Sequence, residues 1–317
     1  MRRPIQLGFS LLAATVLLAT TTATTAATSA GANVTRPTFM KVKPAHVSKP
    51  RRSSNLYYHG GSIEAAARVY IVYWGQDWAT GFSTGGYTSA QAQTYVDDFF
   101  SGVGGSSWAN STTQYCQGVA TGTTQCGSNG THPSNPANEL AGTWVDGSIV
   151  PASPTQNQIA NEASNLAAHF GGVDPNADYM VFTPSGHSEN GFGTSWCAYH
   201  SSSGTLSYSY VPYQPDAGAS CGMNFINGVD NSFGNGYFDG FSIVAGHEYA
   251  ETVTDPNPNS GWLDGRGAEN GDKCAWISAG QGAAGDINLG GGHSFAVQSL
   301  WSNAFNLGVG GCVLTYP

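Results

Sequence analysis

From Arg68 to Trp74 the chain reads RVYIVYW, an unbroken β-branched and aromatic run closed by Gly75, and this predicts a buried strand. Between Ser89 and Val103 the apolar residues Ala92, Tyr95, Val96, Phe99 and Phe100 recur at helical spacing, and Gly104-Gly105 supplies a stop. The pattern repeats from Thr155 to Phe170, with Ile159, Ala163, Leu166 and Phe170 on one face and Gly171-Gly172 beyond it. Asp178 to Thr183 (DYMVFT) predicts a second strand, and Ser207 to Tyr213 alternates as a third. Phe241 to Val253 is a further helix, and two short strands follow near Ser294 to Leu300 and Cys312 to Thr315. Strands that alternate with helices predict an α/β fold, a mixed sheet with helices packed on it. The 43 glycines predict that long loops join these elements.

The pattern changes at the N-terminus. Arg2 and Arg3, an apolar run from Leu11 to Ala19, and small residues from Ala23 to Ala30 form the three parts of a secretory signal peptide over residues 1–30. That apolar run is too short to span a bilayer, so no membrane association is expected after its removal. Residues 31–55 carry positive charge, three prolines and no hydrophobic period, and read as a disordered pro-segment or linker ending at Pro50-Arg51-Arg52. The remainder, 56–317, shows no repeat or second linker and reads as one secreted acidic domain.

Charge sharpens this division. The net charge is -9, but all 20 acidic residues lie beyond residue 55, and only Arg68, Arg266 and Lys273 are basic there, which leaves -17 for that part. Such a field repels phosphate backbones and excludes a nucleic-acid partner. It would also draw the basic segment over the acidic domain at low salt, an expectation of latency until that segment is cut away. The six cysteines suit an exported, disulfide-bonded chain, and 15 pairings are open to them. Pairing neighbours closes the smallest loops and favours Cys116 with Cys126, Cys197 with Cys221, and Cys274 with Cys312.

Seven carboxylates crowd the 34 residues from Asp239 to Asp272. At their centre is Gly246-His247-Glu248-Tyr249-Ala250-Glu251, inside the expected helix. Positions i and i+4 share a helix face, so His247 and Glu251 can grip one metal ion with Glu248 beside them, the H-E-x-x-H zinc arrangement with Glu in place of the second His. A zincin-like active-site helix is therefore expected. Further ligands in such sites come from later segments, and Glu269 and Asp272 lie 18 and 21 residues beyond Glu251, ahead of Cys274; should Glu269 not ligate, Asp272 and His200 are next in line. Asp264, beside Gly265, reads as part of an exposed turn. Zinc is the expected ion, with calcium the alternative, because two carboxylates and one His neutralise a divalent cation and damp its acidity. With zinc in place the chemistry is peptide-bond hydrolysis, with Glu248 as general base, His200 as a neutral donor to the oxyanion, and a protein or peptide as substrate. His187, His293 and Tyr237 are further donors of that kind.

Other readings are weaker. Ser188 and Ser195 lie near histidines, but no G-x-S-x-G elbow is present. The stretch 227–240 is rich in oxygen ligands but departs from a calcium loop and reads as a turn-rich connection. Both His187 and His200 are expected on loops after the strand at 178–183.

Gly246 to Pro256 (GHEYAETVTDP), Gly261-Trp262 and Glu269-Asn270-Gly271-Asp272-Lys273-Cys274 resemble a group of secreted bacterial proteins that carry a His-Glu-x-x-Glu helix and are treated as metallopeptidases. The resemblance implies roles for His247, Glu248, Glu251, Glu269 and Asp272. Tyr58-His59-Gly60-Gly61 with the strand at 68–74, Cys197-Ala198-Tyr199-His200, and Phe233 to Phe238 resemble segments of the plant EXORDIUM or phosphate-induced protein family. That likeness covers about a tenth of the chain past residue 55 and implies an extracellular or cell-wall setting without an activity. It leaves open a non-catalytic binding or signalling protein, with a structural metal or none.

Overall fold

Val69, Ile71 and Tyr73 face one layer of helices and Val72 and Trp74 the other, which is why the run at 68–74 reads as continuously apolar. The computed structural model describes residues 34–45, 54–228, 235–289 and 293–316. The expected signal peptide, the Arg51-Arg52 step and residues 229–234 of the turn-rich stretch lie outside them. Six strands form the central sheet: β1 (Thr38–Lys41), β2 (Arg68–Trp74), β3 (Leu140–Asp146), β4 (Ala177–Phe182), β5 (Trp196–Ser203) and β6 (Leu206–Val211). Their order is β1-β5-β6-β4-β2-β3. β6, β4, β2 and β3 are mutually parallel, whereas β5 runs antiparallel to both β6 and β1. The sheet is mixed and the fold is α/β, as the alternating pattern predicts.

Three helices cover it. α1 (Ser89–Val103) and α2 (Gln156–His169) each open on a capping box, Thr88 with Gln91 and Thr155 with Gln158, in which side chain and backbone satisfy each other's free groups. α2 packs Ile159, Ala163 and Leu166 against one face of the sheet. α1 and α3 (Asn235–Thr254) share the core on the other face. α3 begins six residues earlier than its apolar pattern indicates, and between Gly236 and Thr254 only Tyr237 is not fully buried. Acids on a helix enclosed on all sides need a partner other than water. All three expected disulfides form: Cys116–Cys126, Cys197–Cys221 and Cys274–Cys312. Each stabilises the fold by about 2–4 kcal/mol in the chain-entropy account. The second ties β5 to the segment before α3, and the third holds the 269–274 loop. No helix among the described residues is long and apolar enough to cross a membrane.

The largest departure lies in the basic segment. Where a disordered stretch is expected over 31–55, Thr38–Lys41 forms β1 on the sheet edge, in register Thr38 with His200 and Met40 with Ala198. Met40 is fully buried in the main core, Phe39 packs on Trp196 and Tyr199, and the Trp276 indole donates to the Lys41 carbonyl at 2.7 Å. A four-residue strand has no room to show a hydrophobic period, and its stability comes from the neighbour it pairs with. Met40→Ala is expected to cost about 2–5 kcal/mol, the usual loss for emptying a buried methionine site. A denaturation midpoint unchanged from wild type would show that β1 contributes nothing to the core.

His200 is in strand β5 rather than on a loop, and Asp264 is buried rather than in an exposed turn. The Asp264 carboxylate accepts from the Arg266 and Ala268 amides and pairs with Lys273 Nζ at 3.1 Å. These partners outweigh burial and hold its pKa below the usual carboxylate range.

Candidate metal centre

His247, Glu248 and Glu251 project from the middle of α3 toward β5 and the 269–274 loop. The helical period places His247 one turn before Glu251, and His247 Nε2 lies 3.0 Å from Glu251 Oε1. β5 supplies His200, which faces α3 as Ala198 does two residues earlier, in keeping with strand alternation. Its Nδ1 is 3.1 Å from Glu248 Oε2 and 3.4 Å from Glu251 Oε2, and its Nε2 is 3.4 Å from Glu269 Oε1. Asp272 stands at the rim, with Oδ1 3.9 Å from His247 Nε2 and its side chain 26% exposed. The other five residues have no solvent-accessible surface. The six residues anticipated for the site therefore come together, from one strand, one helix and one loop.

The loop is held by groups that carry no motif. Asn270 Nδ2 donates to the Ala250 carbonyl and to Thr254 Oγ1, which docks the loop on the last turns of α3. The Asp272 amide donates to Glu251 Oε1 at 2.9 Å. Gln298, beyond the strand Ser294–Val297, places Oε1 3.1 Å from His247 Nδ1 and donates from Nε2 to the Gly271 carbonyl. If His247 Nδ1 is the protonated nitrogen, this bond leaves Nε2 free to ligate, the usual relation between a ligand histidine and its support. Gln298→Leu is expected to weaken metal binding roughly 10–100-fold with little change in fold, because it strips that orientation from His247. Competition titration with a chromophoric chelator measures it, and an unchanged affinity would deny Gln298 this role.

The electrostatics of the cluster call for positive charge. Burial raises the pKa of Glu248 and Glu269, and the Glu251 carboxylate adds to both shifts. Burial and Glu251 push Asp272 up to about 7. Burial opposes a charged ring at His247 and His200, but the surrounding carboxylates outweigh it, lifting His247 to about 10 and His200 well above the ordinary value. Glu251 goes the other way: burial would raise it, yet the two imidazoles hold it down. Without a cation, protons are the charge this pocket gathers.

Hydrogen bonding leaves matching gaps. His200 Nε2, His247 Nε2, Glu248 Oε1, Glu251 Oε2 and both Glu269 carboxylate oxygens are buried without a hydrogen-bond partner. Leaving one such group unpaired costs about 1–3 kcal/mol, more for a charged one, so six gathered in one place form a group that could hold a metal ion. Gly271 completes the cradle, since a Cβ there would stand 2.7 Å from His247 Nδ1 and 3.0 Å from Glu251 Oε1. Imidazole nitrogens and carboxylate oxygens suit zinc, manganese or cobalt, and the pure oxygen set that calcium prefers is not what is found. The residues fit a borderline divalent metal. A further grouping, Cys116 and Cys126 with His132, offers no thiolate because the two sulfurs form a disulfide.

Three other expected donors lie elsewhere. His187 Nδ1 is bonded to the Pro151 carbonyl, and its Nε2 is 3.8 Å from Asp77. The Tyr237 hydroxyl donates to Thr84, and His293 precedes the strand Ser294–Val297. Beside the cluster a groove of about 540 Å³ reaches Asp272. Its walls include Arg36 just before β1, Lys41 at its end, Arg266, and Trp276, which sits at φ 62°. That left-handed backbone is a strained conformation for a bulky residue, of the kind that clusters at functional sites. No protein-family model, curated protein or solved structure matches the chain.

Proposed function

We propose that the protein is an exported metal-dependent peptidase whose catalytic centre is the cluster around His247, Glu248 and Glu251. The observation that carries this reading is the group of six buried ligand atoms without a hydrogen bond, on two histidines and three glutamates that face one another. His247, Glu251, His200, Glu269 and Asp272 would hold the metal. A divalent ion bound there supplies Lewis acidity toward a peptide carbonyl and lowers the pKa of water.

The chain's own residues do the rest. Glu248 takes a proton from the attacking water as oxygen adds to the carbonyl carbon, then passes it to the amide nitrogen as the C–N bond breaks. Its pKa, raised by burial, suits a group that must both accept and return a proton. His200, expected as an oxyanion donor, faces three carboxylates and is better assigned to holding the metal. The groove at Asp272 is the approach for a peptide, and its cations favour acidic stretches of substrate. Export rests on the leader-like N-terminus and the three disulfides.

One observation favours a second reading. Five of the six residues are sealed from solvent, as in a structural cation site of a non-catalytic extracellular protein. Metal analysis of purified protein, with casein hydrolysis before and after chelation, separates the two. Hydrolysis that is lost on chelation and restored by metal supports the peptidase. Metal that raises the melting temperature without any hydrolysis would leave the structural reading.

A further inference from the structure

The histidines of the cluster do not converge on one point. Two sets of ligand atoms, each mutually within 4.8 Å, can be drawn among them: His247 with Glu248 and Glu251, and His200 with Glu251 and Glu269. No set contains both imidazoles. Glu251 belongs to both, and its two oxygens are divided between them, Oε1 lying 3.0 Å from His247 Nε2 and Oε2 3.4 Å from His200 Nδ1. Buried atoms without a hydrogen bond occur in each half, at His247 Nε2 and Glu248 Oε1 on one side and at His200 Nε2 and both Glu269 oxygens on the other.

Charge leads to the same count. Glu248, Glu251, Glu269 and Asp272 place four carboxylates around two imidazoles, and three of those carboxylates are wholly buried. One divalent ion would match two of these four carboxylates, and the other two are enough to hold a second. We propose that the centre is binuclear, with Glu251 bridging two divalent cations. One ion lies at His247 and Glu251 Oε1, with Asp272 at its open side, and the second lies at His200, Glu251 Oε2 and Glu269. Mixed imidazole and carboxylate donors select borderline metals such as zinc, manganese or cobalt. Two ions sharing one carboxylate would stand at roughly the 3.5–4 Å spacing of two-metal hydrolytic sites. Glu248 falls within the His247 set, and its Oε2 lies 3.1 Å from His200 Nδ1, so it borders both halves. The inference shares the metal site with the proposed peptidase but does not depend on peptide hydrolysis.

The test is metal stoichiometry on the full disulfide-bonded chain, loaded with Zn²⁺ or Mn²⁺ and freed of excess. Two ions per chain and an exchange-coupled Mn²⁺ spectrum in electron paramagnetic resonance are expected. Glu269→Gln should drop the count from two to one and abolish the coupling, and Asp272→Asn should weaken one ion and spare the other. Glu251→Ala should weaken both. Should that variant fail to fold, the first two, nearly isosteric, still decide. One ion per chain at saturation with an uncoupled spectrum would overturn the proposal even if casein is hydrolysed. Two coupled ions without casein hydrolysis would uphold it and remove the peptidase instead.

Discussion

Glu248→Gln is expected to lose at least about a hundredfold in peptidase turnover while keeping its metal and its melting temperature, because the amide cannot accept the proton that a general base removes. The substitution is nearly isosteric. Glu248 Oε1 is unpartnered, and Oε2 faces His200 at 3.1 Å, a bond that an amide oxygen can preserve. Neither packing nor the ligand set of the second histidine need change. The buried site also excludes bulk water that could relay the proton in place of Glu248. Steady-state kinetics on a metal-loaded variant read the effect, and unimpaired turnover would rule out Glu248 as the base.

Gly271→Ala is expected to weaken metal binding by about a hundredfold, the upper end of what disturbing ligand support costs. The backbone of Gly271, at φ -74° and ψ -47°, is helical, so alanine meets no strain in adopting it. The new methyl carbon would instead stand 2.7 Å from His247 Nδ1, closer than nonbonded atoms approach. His247 is enclosed, so its ring cannot swing out of the way without disturbing close-packed neighbours. The metal-free variant should melt near the metal-free wild type, and the two should separate only when metal is added. Equal metal affinities, measured by competition titration, would show that the loop tolerates the shift and that the cradle is looser than its geometry implies.

Both predictions concern residues whose partners are far away in the chain, and this separation governs what could be read early. The helices at 89–103 and 156–169 and the strands at 68–74 and 177–182 were legible because their apolar periods arise from contacts within one element or burial on both faces. The edge strands were not. Thr38–Lys41 is four residues of a basic segment, and Leu140–Asp146 alternates half-buried with exposed residues and carries Gly142. At a sheet edge one side of each strand lacks a neighbour, so the hydrophobic signal is halved where hydrogen bonding to the inner strand matters most. His200 was expected first as an oxyanion donor and only in reserve as a ligand, because its place in the cluster is hidden 48 residues from Glu248. Gln298, 51 residues from His247, carried no motif at all.

By itself the sequence determined the alternation of strands and helices, the preference for neighbouring cysteine pairs, and the helix that sets His247, Glu248 and Glu251 on one side. Each depends on spacing along the chain, through the helical turn or the entropy of closing a loop, and so needs no knowledge of the fold. Only the tertiary structure decided that His200 joins the carboxylates, that Asn270 and Gln298 hold the loop, and that Glu251 divides its oxygens between two imidazoles. Those facts follow from pairing β5 beside β1 and seating α3 beneath it. His200 and Glu248, remote in sequence, are brought within about 3 Å there by long-range packing, which leaves no local trace in the order of residues.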